Sequence, residues 1–230
     1  MQDPLVLLPG MMCDARVFGP QLAALSPHIA VTVAPITQGE RVEEIASGLL
    51  DVLPHRFAVA GQALGGVIAM ELFRRAPDRV LRIALINTNS LAETPQSSAD
   101  LETLIIKARA GHLSDLVNEV LCSENLAPGA SRAHVTTLVA DMASHIGPDV
   151  IVRQIRALQR RRDYQAVLRR CKIPALVVCG EHDGAAPIKR NTFLSELIPT
   201  GVLSVIEGAG HLPSLEQPDV MTDILMHWLK

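Results

Sequence analysis

Short apolar runs alternate with amphipathic stretches along most of this chain. Leu5–Leu8, Ala30–Ala34, Phe57–Ala60, Ile83–Ile86, Ala175–Val178 and Val202–Ile206 are rich in Val, Ile and Leu and show no polar alternation. Parallel strands covered by helices on both faces require such runs. Between them, the spacing of apolar positions predicts helices near 15–25, 41–52, 64–75, 188–197 and 217–229, the last with Pro218 suited to a first turn. This rhythm predicts an α/β fold with a mostly parallel, doubly wound sheet.

The rhythm breaks once. From about Leu91 to Tyr164 only helical periodicity remains, punctuated by Gly111, Pro128-Gly129 and Gly147-Pro148. A connection of that length is not left structureless in a compact domain. Four short helices are expected there, lying over the carboxyl ends of the strands, where open α/β sheets bind ligands. The expected division is a core of residues 1–90 and 165–230 and a helical cap, or lid, of residues 91–164.

Composition narrows the setting. A chain of 230 residues, 48% hydrophobic and 20% charged, has room for one ordinary globular core plus such an insertion. A net charge of −3 gives no global pull towards nucleic acid or an acidic membrane. No apolar run approaches the roughly 18 residues that cross a bilayer. The opening MQDPLVLLPG has an acid and a proline where an export signal carries basic residues. Cys13, Cys122, Cys171 and Cys179 lack C-x-x-C spacing and read as reduced thiols. A cytoplasmic location is expected.

The chemistry gathers at three loops that follow strands. Phe57–Ala60 runs into Gly-Gln-Ala-Leu-Gly-Gly and at once into a helix. That is the layout of a turn that lifts a nucleophilic serine above a sheet, G-x-S-x-G, with Ala63 in the serine position. Residue 63 must then take a strained, positive-φ conformation, and glycines at 61 and 65 make room for it. After Val178 comes Cys-Gly-Glu-His-Asp, which puts Asp183 at a strand end, with Glu181 as the rival acid. After Ile206 comes Glu-Gly-Ala-Gly-His, which puts His211 at the same edge. The order is that of a nucleophile, acid and histidine triad: His211 as proton acceptor, Asp183 fixing its tautomer. The first loop, Leu8-Pro9-Gly10-Met11-Met12, offers the Met11 amide, which with the Leu64 amide would form an oxyanion hole.

Four blocks, LVLLPGMMCDARVFGPQLAAL, VAGQALGGVIAMELFRRAPDRVLRIALINT, IPALVVCGEHDGAAPI and IEGAGHLPSLEQPDVM, span nearly the whole chain and together resemble the α/β-hydrolase superfamily. The closest type is the small single-domain serine esterase with a helical cap. The resemblance implies hydrolysis of a small-molecule ester, lactone or thioester through an acyl-enzyme, with no metal or cofactor. The fold also hosts C–C bond hydrolysis. The sequence departs from the family pattern in three ways. Pro9 replaces a histidine common before the loop glycine, the chain opens directly on the first core strand, and Ala63 replaces the nucleophile.

A methyl group cannot attack a carbonyl. Three explanations stand: a serine replaced by alanine in an active hydrolase, a natural pseudohydrolase that keeps its pocket for binding, or a different nucleophile, Cys13 or Ser90. The glycines, acid and histidine all persist around one missing oxygen, which favours the first. For the pocket wall, 3% aromatics point to aliphatic and methionine side chains. Met12 and Met142 are the expected substrate contacts beside Met11, with Met70 in the core; His112, His134 and His145 read as surface residues of the cap. The segment Ile151–Lys172 sets eight cations against one acid, Asp163, with Arg153, Arg156 and Arg160 on one helical face. It reads first as a solvated surface and second as a landing place for an anionic substrate or an acidic carrier protein. Neither nucleic acid nor membrane is an expected partner.

Overall fold

A computed structural model describes residues 3–129 and 131–230. The first two residues of the opening stretch, and Ala130 of the expected insertion, lie outside the described residues. Among the described residues six strands, β1 (Leu5–Leu8), β2 (Val31–Val33), β3 (Phe57–Gln62), β4 (Val80–Ile86), β5 (Ala175–Gly180) and β6 (Gly201–Ile206), form one sheet. Every ladder in it is parallel, in the order β2-β1-β3-β4-β5-β6.

Four strands, β3, β4, β5 and β6, are longer than their apolar runs. β3 continues through Gly61 and Gln62, held in register opposite Leu85 and Ile86. β4 begins at Val80 despite the polar Arg82, whose guanidinium donates to the Trp228 carbonyl (3.0 Å). Alternate residues of the central strands serve two separate cores. Leu5, Leu7, Ala58, Ala60, Ala84 and Ile86 point to one face, whereas Val6, Leu8, Val59, Ile83 and Leu85 point to the other. Both faces are dry, which is why these runs show no polar alternation.

The first face is covered by α1 (Gly19–Leu25) and α11 (Pro218–Trp228), and the second by α2 (Val42–Val52), α3 (Leu64–Arg75) and α9 (Ile188–Leu197). The helix expected near 15–25 divides into a 3-10 turn, Ala15–Phe18, and α1, because Pro20 cannot donate an amide and belongs in a first turn. A single extra turn, α10 (Pro213–Glu216), precedes α11. No helix of the described residues is long and apolar enough to cross a membrane.

Between β4 and β5 the chain makes α4 (Pro95–Arg109), α5 (Leu113–Val120), α6 (Ser131–Ile146), α7 (Pro148–Gln159) and the single turn α8 (Gln165–Leu168). The first four pack on one another, α4 against α7 and α5 against α6. The Tyr164 amide donates to the Ser90 carbonyl (2.8 Å), so this excursion leaves and returns at adjoining points. From β1 the chain first moves outwards to β2 and then crosses back to β3. The carboxyl ends of β1 and β3 are therefore the point where the winding reverses, the crevice that such sheets offer to ligands.

Candidate active site

One residue separates β3 from α3. Ala63 has φ 50° and ψ −113°, a left-handed conformation that costs a non-glycine residue on the order of 1–3 kcal/mol. The surroundings hold it there. Its amide donates to the Ile86 carbonyl (2.9 Å), and its carbonyl accepts from the Gly66 amide (3.0 Å) and the Thr88 hydroxyl (2.8 Å). The flanking glycines are forced by close approach: a Cβ on Gly61 would sit 2.2 Å from the Gly65 oxygen, and one on Gly65 2.1 Å from the Leu8 oxygen.

Asp183 and His211 come from the loops after β5 and β6. His211 Nδ1 lies 2.9 Å from Asp183 Oδ2, and Asp183 Oδ1 accepts the amides of Ala185 (2.9 Å) and Ala186 (3.0 Å). With Nδ1–H donating to Asp183, the Nε2 lone pair of a neutral His211 is left free. Burial works against the imidazolium, but the charge and hydrogen bond of Asp183, with Glu216 behind them, outweigh it. The pKa of His211 lies above its ordinary 6.5. The rival acid is elsewhere: Glu181 is exposed and accepts from the Gly208 amide (3.0 Å).

Three buried polar residues that strand and helix patterning did not single out fix this geometry. Glu216 accepts the amides of Gly210 (3.0 Å) and Leu212 (2.8 Å) on either side of His211, and of Ala127 (2.8 Å) between α5 and α6. Asn87, after β4, donates to the Gly210 carbonyl (2.7 Å) and accepts the Gly180 amide (3.0 Å), tying the His211 and Asp183 loops together. Gln154 on α7 accepts the Met12 amide (3.0 Å) and donates to the Ile36 carbonyl (3.2 Å). No local pattern marks such residues. Each has at least one partner distant in sequence, and a helical Gln or loop Asn looks like surface until the chain is folded.

A cavity of about 300 Å³ opens at the winding reversal, near the lower end of small-ligand sites. Ala63, His211, Met11, Met12 and Leu64 line it, whereas Asp183 stands behind His211. The Met11 and Leu64 amides donate to no other group of the described residues. Gly10 brings the first loop to Ala63: a Cβ on it would be 3.6 Å from the alanine methyl.

One expected substrate contact falls elsewhere. Met142 is fully buried, does not line the cavity, and accepts the Asp14 amide at its sulfur (3.4 Å). Helical periodicity alone could not tell the cavity side of α6 from its packed side. Cys13 does line the cavity, but burial and the nearby Asp14 charge push its thiol up to about 12, so it stays protonated. Ser90 is buried and outside the cavity lining. The shared basic face of α7 is engaged within the chain. Arg153 donates to the Thr37 carbonyl (3.2 Å), and Arg156 and Arg160 reach the Glu40 carboxylate (2.8 and 3.4 Å).

Residues 49–218 match the sequence pattern described as the alpha/beta hydrolase fold. A provisionally named carbamate hydrolase, RutD, of Yersinia enterocolitica is 25% identical over 97% of this chain and 86% of its own length. The pimeloyl-[acyl-carrier protein] methyl ester esterase of Pectobacterium carotovorum is 24% identical over 95% of this chain and 91% of its own. The enol-lactonase of Burkholderia xenovorans LB400 superimposes with a TM-score of 0.85 at 25% identity, covering 100% of this chain and 92% of that one.

Proposed function

The chain belongs to the α/β hydrolase fold family, and on that premise we propose that it carries the machinery of a serine hydrolase with alanine at the nucleophile position. The substrate class is a small carboxylic ester, lactone or thioester. One observation carries the reading: the strained residue between β3 and α3 lines the same cavity as a histidine hydrogen-bonded to a buried aspartate that two backbone amides also hold. A turn that stores strain around a methyl group has no structural reason to persist, whereas a serine there would gain a base.

With serine at 63 the steps follow from the geometry. His211 Nε2 takes the hydroxyl proton as the oxygen attacks the carbonyl carbon. The oxyanion forms between the Met11 and Leu64 amides, which have no other partner among the described residues. The leaving group departs with the proton held by His211, and a water, deprotonated in turn by His211, releases the acid. The helices α4–α7, read as a cap over residues 91–164, would shield these steps from bulk water. Relatives named for methyl ester and enol-lactone substrates favour acyl–oxygen cleavage over the C–C cleavage the fold also hosts. The protonated thiol of Cys13 and the buried position of Ser90 argue against a substitute nucleophile. In the alanine form the cavity binds without turnover.

The test is Ala63→Ser, assayed beside the alanine form on short p-nitrophenyl esters, simple lactones and a thioester. Turnover should rise at least about 10³-fold over the alanine form, because removing a nucleophile from such a unit costs on the order of 10⁶ in kcat. His211→Ala in the serine form should abolish it. Comparable rates from the alanine form, or none from a folded serine form, would overturn the proposal.

A further inference from the structure

Part of the cavity wall is charged in a way that the proposed acyl chemistry does not use. Arg161, just beyond α7, and Arg190, on α9, both line the cavity, and Glu93 is the one carboxylate among the described residues that lines it with them. The Arg161 side chain is only 8% exposed, an environment in which a guanidinium needs matched partners. Its Nη2 is within 2.7 Å of Glu93 Oε1 and donates to Asn89 Oδ1 (3.2 Å). Its Nε is buried with no hydrogen-bond partner among the described residues. Arg190 is exposed and makes no side-chain hydrogen bond or ion pair among the described residues. Burial holds the Arg161 pKa below the usual guanidinium range, and the Arg190 charge adds to that, so the two cations feel one another. Two guanidiniums against one carboxylate leave a net single positive charge, with one buried donor unspent. Around it the wall is aliphatic, including Leu101, Leu104 and Leu158.

We propose that Arg161 and Arg190 form an anion subsite of this cavity, and that it takes a carboxylate carried by the substrate. A single net charge suits a carboxylate monoanion, and guanidinium forks match its planar oxygens. The substrate is then an ester, lactone or thioester whose acyl chain ends in a carboxylate, a few methylenes from the scissile carbonyl. The position of that carbonyl rests on the hydrolase reading given above, but the anion subsite does not.

The protein as it stands, with Ala63, allows binding to be read without turnover. Monomethyl esters of succinic, glutaric and adipic acid are titrated calorimetrically against the matching dimethyl esters. The best monoanion should bind at least about tenfold tighter than its neutral partner, a gain typical of one charge-assisted contact. The ratio should fall towards one in Arg190→Gln, whose exposed side chain threatens no folding, and in Arg161→Gln, since either leaves one cation against Glu93. It should persist in Arg169→Gln, outside the cavity. No preference in any pair, or a preference that survives both cavity variants, overturns the subsite. A preference that disappears in them while the Ala63→Ser form hydrolyses nothing would sink the hydrolase reading and leave the subsite standing. Hydrolysis of neutral esters without any anion preference would do the reverse.

Discussion

At His211 two effects of opposite sign meet: burial favours the neutral ring, and Asp183 favours the charged one and wins. A group whose folded pKa is raised adds stability that is fully present below its unfolded value, about 6.5, and lost as pH rises through the folded pKa. In the Ala63→Ser form the rate should accordingly climb with pH and level off above a pKa higher than 6.5, because only neutral His211 accepts a proton. Titration of the ring by NMR should give that same elevated pKa. Asp183→Asn leaves burial unopposed by the carboxylate, so the ring pKa should drop, with kcat falling roughly 10⁴-fold. An unchanged ring pKa in that variant would remove Asp183 from its role. Both residues were legible in sequence because each directly follows a strand run. Glu216 sat inside a recognised block, yet nothing local said that its carboxylate would gather three amides.

Among elements, the turn between β3 and α3 is the tightest joint. Gly65→Ala would drive a Cβ against the Leu8 backbone oxygen, which cannot swing aside like a side-chain tip. A loss of about 2 kcal/mol or more is expected, a fall in Tm of roughly 4–8 °C for a chain this size. Gly48, inside α2 with nothing within 4 Å of its would-be Cβ, is the contrast. Gly48→Ala should be neutral or stabilising by up to about 1 kcal/mol. Equal melting shifts for the two variants, followed by circular dichroism, would contradict the close-approach account. The central strands β1, β3, β4 and β5 were legible because burial on both faces leaves an unbroken apolar run, and the half-exposed edge strands β2 and β6 because they are still mostly Val, Leu and Ile. Their ends were not: Gly61, Gln62 and Gly180 are held by ladder register, which no single run contains.

Across the whole molecule, the layer above the sheet and the sheet itself are stitched at the site. Glu216 bonds Ala127 from the helical excursion as well as the amides flanking His211, and the Asn125 carbonyl accepts the His211 amide (2.7 Å). Glu216→Ala should cost about 3 kcal/mol, since it strands buried donors. Hydrogen exchange should quicken together at Ala127, Gly210 and Leu212. Acceleration confined to the His211 loop would show that the two layers open independently. This coupling was the least legible feature in the sequence, because it joins residues 89 positions apart through one side chain. The three non-glycine residues with positive φ among those described, Met12, Ala63 and Asn87, all border the same cavity. They follow β1, β3 and β4, three neighbours in the sheet.

The bond between Tyr164 and Ser90 has a consequence for how such a chain can change over generations. β4 and β5 already lie side by side in the sheet, and the excursion between them is pinched shut at its base. Its closure entropy grows only as the logarithm of its length. Insertions, deletions or wholesale exchange of the helices beyond that pinch would leave strand order untouched. The helices beyond the pinch can therefore be rewritten while the strand order is inherited intact, provided that the contacts of Asn125, Ala127 and Gln154 to the site loops are kept.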